Sequence, residues 1–325
     1  MPLTLRGIGS CRIADTPFTV LDLETTGLTP GVDRVIEVAV LRIDPGSEPK
    51  LVYDTLVNPR RSVAATEIHG ITDADVADAP AFADIAGDLV DALAGSVVTA
   101  YNVYFDIRFL TREMEQAGLR HTPPHLCLMY FRPLLGLGSR CSLDDACDAH
   151  GINHDRAHVA ALDSQVSGRL LTLYLKLLDD RGVATFDELR ELGTYQFLSS
   201  LANEPFHDAA CFKLQPCGRR KSRLVSAEAV SALQAAPQPS GIREYWDALK
   251  TVVADLLIND EEMAIMRGIR DRHRLQDEQL RMLHARAFAS VIAQFVDDQQ
   301  LDDREQEKLR RFHRCLSSLG WAPGE

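Results

Sequence analysis

Short hydrophobic, β-like runs, punctuated by turn-forming residues, dominate the first part of the chain. FTVLDLE (18–24), RVIEVAVLRI (34–43) and LVYDTLV (51–57) follow one another closely, separated by GLTPGVD and DPGSEPK. Runs rich in β-branched residues and bounded by Gly, Pro and Asp predict strands, and links this short leave no room for a helical crossover. The three strands should therefore be antiparallel. The pattern then changes. FADIAGDLVDALA (82–94) reads as a helix, SVVTAY (96–101) as a strand, FDIRFLTREMEQAG (105–118) as a helix buried on most faces, and LDSQVSGRLLTLYLKLL (162–178) as a closing helix. A helix between two strands makes the next pairing parallel. Residues 16–178 thus predict an α/β unit: a mixed sheet of three antiparallel strands plus parallel ones, flanked by helices.

Residues 1–15 form an N-terminal extension to that unit. From 179 to 240 periodicity fades among prolines at 205, 216, 237 and 239, which predicts a partly ordered connector, and its basic run Arg219, Arg220, Lys221, Arg223 reads as a solvated linker. Residues 241–325 are helical again and smaller in extent, an all-α accessory domain with an internal repeat. Shifting the sequence by 43 aligns Asp255, Ile258, Asn259, Asp260, Glu262, Met266 and Ile269 with Asp298, Leu301, Asp302, Asp303, Glu305, Leu309 and Phe312. Each copy predicts a capping box, Asn259 with Glu262 and Asp302 with Glu305. The acidic loops lack the glycine and the alternation of a twelve-residue calcium loop, so they read as helix caps.

Composition narrows the class. A chain of 325 residues, 46% hydrophobic and 25% charged, has globular proportions and suggests two domains. The net charge of −12 excludes a blanket polyanion binder, although a local basic groove is compatible with it. No apolar run is long enough for a membrane span and the first residues lack a secretory h-region, so a cytoplasmic protein without membrane association is expected. Seven cysteines, an odd number widely scattered, fit reduced thiols.

The chemistry resides in acids. Asp22 and Glu24, two apart at the end of the first strand, project to the same side, where two carboxylates repel unless a cation or donor lies between them. Asp106 opens the helix that follows NVYF, at the end of a strand. Asp163 sits on the last helix. His158 precedes it by five residues, about 140° apart if both were helical, so His158 is expected on the entering loop and free to reach over the site. Four carboxylates and one histidine in the order Asp, Glu, Asp, His, Asp form a constellation that isolated acid pairs do not.

With these motifs the sequence resembles the DEDDh 3′–5′ exonucleases of the ribonuclease H-like fold, the group of the proofreading epsilon subunit and polymerase-embedded exonuclease domains of bacterial DNA polymerase III. The resemblance covers residues 16–178: DLETTGL matches the first motif, NVYFD the second and H-x4-D the third. It implies metal ligands at Asp22, Glu24, Asp106 and Asp163 and a general base at His158. It also implies contacts to the terminal nucleotide from Thr25, Thr26 and Leu28, with Asn102 and Phe105 of the second motif in the substrate site and His69 near the last bases. Two departures stand out: Tyr101 where the family commonly has His, and Cys127-Leu128 where it often has Asp-Thr. Hard oxygen ligands without a Cys/His tetrad select two Mg²⁺ or Mn²⁺ ions rather than zinc. The expected activity is removal of nucleoside 5′-monophosphates from single-stranded 3′ ends, DNA more than RNA, in replication proofreading or repair. An oligoribonuclease-like RNA-trimming enzyme and a non-catalytic adaptor are the alternatives. The last 80 or so residues resemble TerB-related helical modules, through which a protein partner is expected to bind.

Overall fold

A computed structural model of the chain describes residues 7–153, 159–224, 240–255, 259–295 and 302–324. Five strands, β1 (Phe18–Thr25), β2 (Val35–Ile43), β3 (Lys50–Leu56), β4 (Val97–Ala100) and β5 (His125–Cys127), form one sheet in the order β3-β2-β1-β4-β5. The three-stranded antiparallel part and the parallel continuation through β4 are as expected: β1 pairs antiparallel with β2, β2 with β3, and β4 lies parallel to β1 and β5. Burial on both faces explains why β1 and β2 read as near-continuous apolar runs.

Short helices α1 (Thr66–His69) and α2 (Asp73–Val76) precede α3 (Phe82–Leu93), and α4 (Val103–Gln116) follows β4. Beyond β5 come α5 (Leu128–Leu134), α6 (Leu143–Ala149) and the long α7 (Ala160–Asp180). Helix α7 crosses β1 and β2 so closely that a Cβ on Gly168 would lie 2.2 Å from Leu41 Cδ2. That contact fixes the depth at which the start of α7 meets the end of β1.

The sequence expectation differs from the structure in four places. Helix α4 begins at Val103 rather than 105, because β4 stops at Ala100 and Asn102 occupies the N-cap position. The three-residue β5 was not anticipated; it follows Pro123-Pro124 and is too short to show a period. The stretch after 178 adds α8 (Phe186–Glu191) and α9 (Gln196–Ser199), whose Phe186, Phe197 and Leu198 enter the core of the sheet unit. The basic run is not a solvated linker either. Lys221 accepts from Leu56 N and donates its own N–H to Thr55 Oγ1, both at 2.8 Å, while Arg220 lies 4.3 Å from the Tyr53 ring centroid and Arg223 pairs with Glu37 at 3.3 Å.

The helical region comprises α10 (Ser240–Asp255), α11 (Asp260–His273), α12 (Asp277–Phe295) and α13 (Asp303–Ser318). Both expected capping boxes are present, at Asn259 with Glu262 and at Asp302 with Glu305. Its core residues, among them Tyr245, Leu249, Met266, Leu283 and Phe312, are continuous with the core of the sheet unit. Buried His284 bridges Tyr245 Oη at 2.8 Å and the carbonyl of Trp321 at 2.6 Å, tying α10, α12 and the chain end together. Among the described residues no helix is long and apolar enough to cross a membrane.

Candidate active site

Three elements bring the acids together. Strand β1 carries Asp22 and Glu24, opposite Ala39 and Glu37 of β2. The small Ala39 leaves room for the neighbouring start of α7, whose first turn carries Asp163. Carboxylate oxygens of Asp22, Glu24 and Asp163 all lie within 4.8 Å of one another. Asp106, in the first turn of α4, accepts a hydrogen bond from Leu23 N at 3.1 Å, so it is anchored to the same strand. His158 lies outside the described residues.

The electrostatics of this cluster are uneven. Burial, and then the charges of Asp163, Asp106 and Glu24, push Asp22 well above the usual carboxylate range. Asp106 rises to about 7, chiefly through burial. Burial would also raise Glu24, but Arg243, Lys250 and His69 outweigh it and hold that carboxyl at about 2. An all-oxygen donor set in which one acid is starved of counter-charge fits a hard divalent cation. Asp22, Glu24 and Asp163, with Asp106 beside them, are the residues that would hold it.

The counter-charge comes from α10. Arg243 Nη2 binds Glu24 Oε1 directly, lies 3.6 Å from Asp163 Oδ2, and its Nη1 donates to Ile68 O at 3.3 Å. Two turns further on, Lys250 Nζ lies 4.7 Å from the centroid of the Phe105 ring and 2.8 Å from Asp247 Oδ1. Both cations are buried, their side chains 4% and 13% exposed. Sequence reasoning missed them. Positions 243, 247, 250 and 251 do share one helical face, but nothing local says that the face meets acids as far apart in sequence as Glu24 and Asp163.

Of the expected substrate residues, Asn102 and Phe105 line a cleft with Asp22 and Asp106, and several of the set are already engaged. Thr25 Oγ1 donates to Gly27 O at 2.6 Å and Thr26 Oγ1 to Asp33 Oδ1 at 3.2 Å, so both hydroxyls shape the turn after β1. Leu28 N donates to Ser290 Oγ of α12 at 3.1 Å, and Asn102 Nδ2 to Thr251 Oγ1 of α10 at 3.1 Å. Phe105 packs on Phe109, with ring centroids 4.8 Å apart, beneath Lys250. His69 is buried, its Nε2 2.9 Å from Ala64 O and its Nδ1 accepting from Ile71 N at 3.0 Å. A cleft of about 120 Å³ remains between Asp22, Asn102 and Asp106 on one side and Arg243, Lys250 and Met266 on the other.

The two departures from the family motifs have structural roles. Tyr101 Oη meets the carbonyls of Cys141 and Ser142 at 2.7 and 2.8 Å, securing the approach to α6. Cys127 is fully buried at the end of β5, with Sγ 3.3 Å from Tyr101 O.

Residues 19–171 match the family model described as Exonuclease. Among curated proteins, a DNA polymerase III subunit epsilon-like protein of Rhodobacter capsulatus is 35% identical over 190 residues, covering 55% of this chain and 27% of that relative. The PolC-type DNA polymerase III of Thermotoga maritima is 28% identical over 314 residues, covering 93% of this chain and 22% of the relative. The chain therefore spans about a quarter of the length of these relatives. Among solved structures it is similar to E. coli exonuclease I in complex with a dA16 oligonucleotide, at 14% identity and a TM-score of 0.42 over 94% of this chain and all of that one, a likeness too low to argue from. The family match and the sequence relatives support a nuclease, and the acidic cluster agrees with the divalent metal such enzymes generally use.

Proposed function

We propose that the chain is a metal-dependent 3′–5′ exonuclease that acts on single-stranded 3′ ends, DNA in preference to RNA, in the cytoplasm, in replication proofreading or repair. The observation that carries this reading is the convergence of Asp22, Glu24 and Asp163 within 4.8 Å, with Asp106 hydrogen-bonded to the strand between them. Two Mg²⁺ or Mn²⁺ ions bound there would supply Lewis-acid activation of water and charge stabilisation at the leaving 3′-oxygen. Asp22, Glu24 and Asp163 would hold them, with Asp106 beside the cluster. His158 takes the proton of the attacking water, a role typically worth about 10²–10⁴ in rate. Phe105 and Leu28 present apolar surface to the terminal nucleotide, while Thr25 and Thr26 hold the turn that places Leu28. Asn102 faces the same pocket, and His69 stands behind Glu24 toward the preceding bases. The product is a nucleoside 5′-monophosphate.

The test is digestion of matched 5′-labelled single-stranded DNA and RNA with Mn²⁺ or Mg²⁺. The expected result is a ladder shortening from the 3′ end, faster on DNA and absent in Asp22→Asn. Folded wild-type protein that leaves both polymers intact over a long incubation overturns the reading, and faster loss of RNA replaces it with an RNA-trimming enzyme. One observation favours a second reading: the guanidinium of Arg243 already neutralises Glu24, as a permanent replacement for metal would in a non-catalytic adaptor. Metal binding by wild-type protein separates the two.

A further inference from the structure

The helical region sits on the face that substrate must reach. Arg243 engages Glu24 and Asp163, Lys250 covers Phe105, Thr251 holds Asn102, and Ser290 holds Leu28. These contacts come from two helices, α10 and α12, and fall on the acids and on three of the residues assigned to the nucleotide. Arg243 occupies Glu24 Oε1 and lies 3.6 Å from Asp163 Oδ2, and a divalent ion drawn to these carboxylates would meet a buried positive charge at contact distance, so the two cations oppose each other's binding. A 3′ terminus cannot lie on Phe105 while the Lys250 side chain covers that ring. The contacts are also reinforced from outside the site. Arg140 pairs with Glu261 at 2.8 Å and Glu262 at 3.1 Å, Arg272 with Asp145 at 2.7 Å, and Arg286 with Glu67 at 2.7 Å, each bond joining the helical region to the nuclease unit.

We propose that α10 is an intramolecular lock on the nuclease site: Arg243 stands in for a divalent cation between Glu24 and Asp163, and the helical region must lift before metal and a 3′ end can enter. The proposal rests on the reading of these acids as metal ligands. It assigns the helical region an autoinhibitory role. Metal and Arg243 are then competing occupants, so any change that unseats α10 raises metal affinity, and metal in turn loosens α10. The size of the effect follows from population shift, since apparent affinity falls in proportion to the open fraction, and a lock closed about nine-tenths of the time lowers it about tenfold.

The experiment is Mn²⁺ binding followed by electron paramagnetic resonance on the full chain, compared among wild type, Arg243→Gln and Asp22→Asn/Arg243→Gln. Arg243→Gln is expected to bind Mn²⁺ about tenfold more tightly than wild type. The added Asp22→Asn should abolish that binding, and hydrogen exchange of 240–255 in the wild-type chain should rise when Mn²⁺ is added. A remote variant guards against misfolding. Arg286→Glu, which sets two acids against each other across the interface, should also tighten Mn²⁺ binding, and Glu67→Arg/Arg286→Glu should return it to the wild-type value. Equal Mn²⁺ affinity in folded wild type and Arg243→Gln overturns the lock while leaving the metal site intact. Should Arg243→Gln fail to fold, an unchanged affinity in Arg286→Glu overturns it instead. If no variant binds Mn²⁺, the metal reading fails and the lock fails with it.

Discussion

Arg140 and Glu262, 122 positions apart, form a 3.1 Å ion pair in which each side chain is 7% exposed. Arg140 also reaches Glu261 and the Tyr130 hydroxyl, and its guanidinium stacks 4.9 Å from the Tyr130 ring. Removing one partner of a buried pair strands the other charge, which typically costs about 3–5 kcal/mol. Arg140→Ala should therefore lower stability by that order in chemical denaturation and make 240–324 the first segment cut in limited proteolysis. Glu262→Gln, which keeps a hydrogen-bonding oxygen, should cost clearly less.

Asp22 is half-buried beside three other acids, and its ionised form is disfavoured. Neutralising it relieves repulsion in the metal-free protein. Asp22→Asn should abolish hydrolysis yet leave stability unchanged or raised by about 1 kcal/mol, a Tm increase of about 1–2 °C for a chain of this size. Calorimetry in chelator checks it. A large loss of stability would contradict the repulsion argument.

Glu37 lies opposite Glu24 on β2, near Arg223 and Arg243 and accepting from Ala160 N, and burial raises it to about 7. A raised carboxyl binds its proton more tightly folded than unfolded, so its contribution is fully present below about pH 4 and lost as pH rises through 7. Glu37→Gln, permanently neutral, should match wild type near pH 4 and exceed it by on the order of 2–3 kcal/mol at pH 8, at 1.36 kcal/mol per unit. Denaturation midpoints across that range read the difference directly.

Asp302 caps α13, its Oδ1 accepting from Glu305 N at 2.7 Å while Glu305 Oε2 accepts from Asp302 N at 2.9 Å. Asp302→Ala should cost about 0.5–2 kcal/mol. Hydrogen exchange should show the loss first in the opening turn of α13, with β1 and β2 unaffected.

Much of the site was legible because its signals are local. Alternation along β1 puts Asp22 and Glu24 on one side, and each remaining acid lies in the first turn of a helix that the apolar pattern marks. The antiparallel pairing of β1, β2 and β3 followed from the short, turn-rich links between them. What escaped is set by long-range packing. Arg243 and Lys250 look like ordinary cations on an amphipathic helix, and only the docking of α10 against Ile68 and Phe105 gives them a role. Likewise Lys221 and Arg223 gain their order from Thr55 and Glu37, not from any periodicity of their own.

Ser290 Oγ accepts from Leu28 N at 3.1 Å and donates to Asp33 Oδ2 at 2.6 Å, with Thr29 Oγ1 2.9 Å away. The turn that follows β1 is thus completed by a hydroxyl from α12. A fragment ending at 224 would bare the acids and, in the same cut, hand that turn over to bulk water. Such a fragment would have a more accessible acidic cluster beside a slacker turn, so the isolated sheet unit is not a simplified version of the whole.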